Sequence, residues 1–393
     1  MIRKIFFWLH LSIGIAAGLF ILIMSATGFV LAFERQIIEW GDRDLRFVSG
    51  PVEAQPRPVT DLLEVVRRAG MGDPSAITIR SQPQATMQFS IGRVKTVYVD
   101  PYSGAVLGVS SEPLHDFFAA VERLHRALGA PLGPGSAGRS LTGASNLLFC
   151  VLIPLGLVLW LPRKLSWNAL RPSLWFRRRL RGKARDWNWH NVIGIWCMFP
   201  LMIISLTGVV MSFNWANALL FRLTGSAPPA SGRDRGDSRQ HGGPPTVGYE
   251  PNYDRLFIAT RGLEPNWRTI TLNVVRGSAP LNATIDMGTG GQPQRRVQAL
   301  LNPSTGVVEK TSTLADGSLG QRLRSFVRFG HTGEYYGLLG QIVAALASLG
   351  ACVLVYTGLA LSIRRLAAYL KRQRRLDSRT AVQSVSTSAG DLL

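Results

Sequence analysis

Six histidines occur in the 393 residues, and four of them stand at the margins of long apolar stretches. His10 and His190 open two such stretches; His125 and His331 lie just ahead of two others. Metal-binding or ionisable side chains at membrane depth are costly enough to point to function. Two neutral imidazoles facing each other across a helical bundle are a common way to hold a six-coordinate haem iron. No Cys-x-x-Cys-His sequence is present, so covalent attachment is excluded and haem of the b type is implied. Zinc is less suited, because two histidines without a neighbouring Cys or carboxylate leave a tetrahedral shell incomplete. A single histidine at a membrane boundary reads as an interfacial hydrogen-bonding residue; four, one per stretch and in matching places, argue for ligands. His115 shares a helix with His125 but points about 80° away from it. His241 lies in a Gly-, Pro-, Ser- and Arg-rich segment, and both are weaker candidates.

The elements that must position these residues follow from hydropathy and charge. Mean hydropathy is above zero, and 17% of residues are Asp, Glu, Lys or Arg, against about 25% in soluble domains. A purely soluble, disordered or collagen-like chain is excluded. Apolar stretches at Leu11 to Phe33, Leu141 to Leu161, Val192 to Phe213 and Tyr335 to Ile363 contain no Lys, Arg, Asp or Glu. Each has the length a bilayer core about 30 Å thick requires of a helix. The first ends in Phe-Glu-Arg without an Ala-x-Ala site, so a retained helix is expected in place of a cleaved signal peptide.

The formal charge of +20 by itself would suggest a nucleic-acid partner. Its placement argues otherwise. The segments before the first span, between the second and third, and after the fourth hold 18 basic and 3 acidic residues, whereas the loops 34–140 and 214–330 hold 12 against 12 and 14 against 8. Excess Lys and Arg stay in the cytoplasm, so both termini are expected inside and both large loops outside. The basic run from Arg177 to Arg185 then faces lipid headgroups. No basic stripe remains for nucleic acid, and the partner is the lipid bilayer. Cys150, Cys197 and Cys352 all fall within spans, so no structural disulfide is implied.

The chain is written twice. His10 to Phe33 laid over His190 to Phe213 without gaps matches ten of twenty-four positions, including His10/His190, Gly14/Gly194, Ser25/Ser205, Thr27/Thr207 and Gly28/Gly208. The outer loops echo each other in Asp100-Pro-Tyr-Ser-Gly104 and Asn302-Pro-Ser-Thr-Gly306, each following an alternating apolar run, as strand, tight turn and returning strand would. The expected fold is a membrane bundle of four transmembrane helices in two tandem repeats, with two small outer α+β domains. Gly14 and Gly28 lie about 40° and 0° from His10 around the helix, and Gly28 about 27 Å along it; Gly194 and Gly208 repeat this from His190. Missing side chains on the ligand face would let a flat porphyrin approach the backbone at both ends. Small-residue helix packing is the alternative. The second and fourth spans show no equally clean glycine face.

The boundaries are a cytoplasmic N-terminus and first span (1–33), an outer domain with an amphipathic pre-membrane helix (34–140), a second span (141–161), a basic loop (162–189), a third span (190–213), a second outer domain (214–330), a fourth span (331–363) and a basic tail (364–393). Linkers are expected from Pro51 to Pro58 and at 224–245. Thr60 to Ala69 opens with its own helix cap, Thr-Asp-Leu-Leu-Glu; Ile77 to Arg80, Gln88 to Ser90 and Lys95 to Val99 alternate as strands. Gly133-Pro-Gly-Ser-Ala-Gly138 has the form of a dinucleotide fingerprint, but it follows an amphipathic helix and leads into a span, so it reads as a hinge.

Together the His-x-x-x-Gly and Ser-x-Thr-Gly spans, Leu124-His125-Arg126, Gly330-His331-Thr332-Gly333 and the two Pro-turn motifs make the chain resemble the PepSY-associated transmembrane family. That family comprises iron-regulated inner-membrane proteins and includes bis-haem ferrisiderophore reductases. The resemblance covers nearly the whole chain. It implies periplasmic PepSY domains, a bacterial inner-membrane location, and two b haems, an inner one on His10 and His190 and an outer one on His125 and His331. It further implies electron transfer from the cytoplasmic side to a ferric chelate or ferrisiderophore, which makes the chain an oxidoreductase. Some relatives carry a flavin and nicotinamide reductase domain; none is read in these residues, so the expected donor is a separate cytoplasmic reductase or a quinol. A transporter is disfavoured by the lack of charged residues inside the spans. The competing class is a non-catalytic PepSY binding or sensor protein with a peptide or peptidase partner, its helices serving only as anchors.

Overall fold

Inside a bilayer the backbone must satisfy its own hydrogen bonds, so an apolar stretch of twenty residues is driven to helix. A computed structural model describes residues 1–48, 55–92, 95–132, 136–228, 251–275, 277 and 279–390. His241, residues 51–54 of the first linker, 133–135 of the Gly-rich hinge and 229–245 of the second linker lie outside the described residues. The helices are α1 (Ile2–Leu31), α2 (Glu34–Gly41), α3 (Arg43–Arg46), α4 (Val59–Arg68), α5 (Glu112–Ala127), α6 (Ala137–Trp160), α7 (Trp167–Leu174), α8 (Gly182–Ser212), α9 (Asn214–Leu223), α10 (Tyr253–Arg261), α11 (Leu319–His331) and α12 (Gly337–Gly390). The strands are β1 (Ala76–Arg80), β2 (Met87–Ile91), β3 (Lys95–Val99), β4 (Val106–Val109), β5 (Thr269–Asn273), β6 (Leu281–Asp286), β7 (Arg296–Leu301) and β8 (Val308–Thr313). Two compact units result, residues 1–29, 124–206 and 344–393 in one and 30–123 and 207–343 in the other.

In the first unit α1, α6, α8 and α12 supply four helices long and apolar enough to cross a membrane, as the hydropathy predicts. The 30 residues of α1 make a helix about 45 Å long, which exceeds the hydrocarbon core and carries the helix ends to the headgroups. No more than 39% of the most apolar window of any span is buried by protein, leaving most of its surface for lipid. Beside Ile21, Ile153, Val192 and Leu201, the helices bury small or hydroxylated residues: Ala17 and Gly18 on α1, Gly143 and Ser145 on α6, Ala347 and Ala351 on α12. Such residues let helices approach where lipid leaves no hydrophobic drive to associate. Asn146 donates to the Ser205 carbonyl at 2.9 Å, and Cys150 Sγ lies 2.7 Å from Ser205 Oγ, joining α6 to α8.

Charge closes the end of this unit that carries the chain terminus. Arg3 donates to the carbonyls of Leu159 and Leu161 at 2.6 and 2.8 Å, satisfying the acceptors left over where α6 stops. Asp186 is fully buried and accepts from Arg185 and from Arg364, tying the first turns of α8 to α12. Removing one partner of a buried pair leaves the other charge uncompensated. Both arginines are about two-fifths exposed, so Asp186→Ala is expected to lower the thermal midpoint of the detergent-solubilised protein, by less than the loss of a fully buried pair would.

The second unit is built on one antiparallel sheet of eight strands, in the order β4-β3-β2-β1-β5-β6-β7-β8. The strands expected in the first loop are present, but the two loops do not make two separate sheets. β1 pairs with β5 from Ala76↔Asn273 through Arg80↔Thr269, so the pairing runs outward from this seam in both directions. Alternation puts Ile77, Phe89, Val97, Ile270, Leu272 and Ile285 on one buried face, where α4 and α10 cover them with Leu62, Leu63, Val66 and Leu256. Helix α4 is not capped by its own side chains. Asp254 on α10 accepts from the Val59 and Thr60 amides and from the Thr60 hydroxyl. The turns 100–104 and 302–306 close as the sequence predicts, with Gly104 and Gly306 at φ +78° and +72° and their amides bonded to the Asp100 and Asn302 carbonyls.

Candidate functional site

The candidate ligands are four half-buried imidazoles, three in the helical unit and one in the sheet unit. α1 brings His10 and α8 brings His190 together inside the helical unit. Their ring centroids are 6.3 Å apart and their planes lie at 88°. Behind each ring is a glycine of another helix. A Cβ on Gly156 would stand 3.2 Å from His10 Cε1, and one on Gly358 3.3 Å from His190 Cε1, so each glycine gives its ring room against the backbone. His190 Nδ1 lies 2.9 Å from Thr357 Oγ1, and that hydroxyl lies 2.8 Å from the Val353 carbonyl. A carbonyl only accepts, so the hydroxyl donates its proton there and accepts from the imidazole. His190 is thereby held with its proton on Nδ1 and a bare lone pair on Nε2, the form that binds metal.

The spacing of the pair fits an iron between the two rings. Metal–imidazole bonds of about 2.0–2.1 Å on either side, with about 1.1 Å from each nitrogen to its ring centre, separate the centres by roughly 6.2–6.4 Å. Among the described residues no group of three or more His, Cys, Asp or Glu side chains is placed to hold a metal. A two-histidine site needs a group that brings the other ligands itself, as a porphyrin does.

His125, in the last turn of α5, belongs to the same unit. Its Nδ1 lies 2.9 Å from Thr27 Oγ1, which donates to the Ile23 carbonyl at 2.6 Å, so the same proton logic puts the His125 proton on Nδ1. A Cβ on Gly28 would sit 3.3 Å from His125 Cε1. In the sheet unit, His331 is the last residue of α11, with Nδ1 3.0 Å from Thr207 Oγ1; Gly208 next to it is buried. The Thr-Gly pairs singled out by the repeat therefore sit against histidines, with the threonine on Nδ1 and, at Gly28, the glycine against the ring.

The expected porphyrin-facing glycines divide into two kinds. Gly28 takes the His125 ring, while Gly14 and Gly194 make ordinary contacts with Leu152 at 3.6 Å and Leu354 at 3.7 Å, as in helix packing. Sequence reasoning passed over Gly156 and Gly358, because the second and fourth spans carry no periodic glycine face. Gly156 follows Leu155 and Gly358 follows Thr357, and neither stands out among the other glycines of its span, Gly143 in the second and Gly337, Gly340 and Gly350 in the fourth. His115 lies on α5 in the sheet unit.

That unit also holds a cavity of about 340 Å³ lined by Leu31, Ala32, Glu34, Arg35, Arg328 and Gln341 among others. Its size suits a small molecule, and Thr332, the neighbour of His331, is in its wall. Arg35 pairs with Glu334 at 3.3 Å. Burial, reinforced by Glu122 and Glu334, raises the Glu34 carboxyl above its ordinary value of 4.5. A raised carboxyl binds its proton more tightly when folded, so stability is fullest below about pH 4.5 and falls as pH rises through that value toward the folded pKa. Glu34→Gln is expected to raise the thermal midpoint slightly at pH 7 and to leave it unchanged at pH 4.

Four apolar helices together with this sheet define a multi-span membrane protein. The family description PepSY-associated TM region matches residues 7–365, nearly the whole chain, and the chain belongs to that family. No curated protein matches it.

Proposed function

We propose that the protein is a bis-haem b electron-transfer protein of the bacterial inner membrane that reduces a ferric chelate, such as a ferrisiderophore, on the periplasmic side. The observation that carries this reading is the His10–His190 pair: two rings 6.3 Å apart, one of them bonded at Nδ1 to Thr357. Repeat equivalence extends it to His125 and His331, each with a threonine on Nδ1. When bound, b haem supplies one-electron carriage without taking up or releasing atoms. The chain's own part is to present Nε2, hold Nδ1–H away from the metal, and keep the His10 and His190 rings within a membrane bundle. The basic segments at the starts of α1 and α8 and beyond the fourth span support a cytoplasmic side for both termini, and in this reading a reduced flavoprotein there, or alternatively a quinol in the bilayer, gives up the electron.

In this reading the strand-rich loops are the two PepSY-like halves of a tandem repeat, and they face the ferric substrate. One electron converts Fe(III) to Fe(II), which hard oxygen ligands hold less tightly, so the chelate releases its metal. The test is a reduced-minus-oxidised spectrum of the purified, haem-supplied protein, followed by addition of ferric chelates to the reduced form. A b-type difference spectrum reoxidised by the chelate supports the proposal. A colourless protein whose spectrum no histidine substitution alters overturns it in favour of a membrane-anchored PepSY binding protein.

A further inference from the structure

Of the four histidines, three share one arrangement at Nδ1 and one departs from it. Thr27, Thr207 and Thr357 stand against His125, His331 and His190 at 2.9, 3.0 and 2.9 Å. In α6 the corresponding place is Leu155, which precedes Gly156 as Thr357 precedes Gly358. Both glycines press on a histidine Cε1, so the backbones present residues 155 and 357 to their rings in the same way. Leucine has no polar side-chain atom to offer, and no side-chain group bonds the buried His10 Nδ1. Each ring also has a backbone carbonyl as acceptor, Leu152 for His10 and Leu354 for His190. The hydroxyl is what differs.

A hydrogen bond from the far nitrogen raises the basicity of a histidine ligand and fixes its tautomer. A more basic ligand favours the more highly charged ferric iron over the ferrous, and so lowers the reduction potential. Resting on the haem reading above, we propose that residue 155 is the tuning position of the His10/His190 centre. Leu155 withholds the bond the other three histidines have, so His10 is the weaker donor of its pair and an iron between the two rings is easier to reduce than it would be with threonine at 155. Leu155 is a positioning residue in this scheme and touches neither substrate nor metal.

The test is a spectroelectrochemical titration of the full-length holoprotein and two variants. Leu155→Thr is expected to shift one of two haem midpoints to lower potential, and Thr357→Val to shift that same midpoint to higher potential. The other midpoint stays where it is in both. A second readout needs no haem: nitrogen NMR of ¹⁵N-histidine-labelled apoprotein is expected to show a smaller Nδ1–H fraction for His10, which has the Leu152 carbonyl alone, than for His190, which has Thr357 as well, with Leu155→Thr raising the His10 fraction. Two haems with midpoints unmoved by either variant, or a Leu155→Thr shift to higher potential, overturn this inference alone. A wild-type protein with no Soret band overturns the haem reading and this inference with it.

Discussion

On the bis-haem proposal, replacing His190 by alanine is expected to remove one of the two haems and to lower ferric-chelate reduction by more than about 100-fold. The size of the effect follows from what the residue supplies. His190 is the partner of His10 across 6.3 Å, and its Nε2 is the only nitrogen of the ring left for a metal once Nδ1 is committed to Thr357. Changes to residues that merely orient a ligand already cost 10–100-fold in metal affinity or activity, so loss of the ligand itself lies beyond that range. The alanine leaves an imidazole-sized space behind Gly358, and free imidazole in the buffer is expected to restore part of the spectrum. His115→Ala, by contrast, is expected to leave the spectrum unchanged. An absorbance spectrum and haem assay on the two variants decide the matter; equal haem content in wild type and His190→Ala would sink the assignment.

Phe89→Ala is expected to be the most damaging single change in the strand-rich unit, at about 3–5 kcal/mol from a total stability of roughly 5–15 kcal/mol. Phe89 is fully buried, faces Ile77 on one neighbouring strand and Val97 on the other, and fills the layer beneath α4 and α10. Because β1 is joined to β5 over five residue pairs, the loss is expected to spread past the seam. Amide exchange should accelerate in β6 and β7 as well as in β2. Exchange confined to β1–β4 would instead mean that the two strand sets unfold independently.

The parts of this structure that local sequence could express were legible. A span declares itself by twenty uncharged residues, as from Leu141 to Leu161, because bilayer thickness sets a length. The 302–306 turn declares itself by Asn-Pro and a glycine that must take positive φ. Contacts between distant residues were another matter. The cap of α4 was expected from Thr60 and its neighbours but comes from Asp254, 194 positions away from Thr60, and nothing near Thr60 reports it. The β1–β5 seam is equally silent, since both strands alternate as any half-buried strand does. At the histidines, residue types were readable and partners were not. Gly28 was placed on the His10 face by helix periodicity, which measures angle along one helix and cannot see that α5 delivers His125 to the same spot. Leu155 looked like one more apolar residue of a span until the ring opposite Gly156 could be compared with the one opposite Gly358.

The β1–β5 seam also sets a timetable for biogenesis. Thr78 and Thr271, which meet across it, are separated by 193 positions, and at 5–20 residues per second the ribosome needs roughly 10–40 s to make the second after the first. Throughout that delay β1 is an open edge with unpaired amides and carbonyls, ready to accept any strand that reaches it. The first half of the sheet must therefore wait, shielded from strand addition, while two further membrane helices are synthesised. A chain arrested after the second span would present that edge permanently, and a second arrested copy would be a chemically suitable strand to fill it.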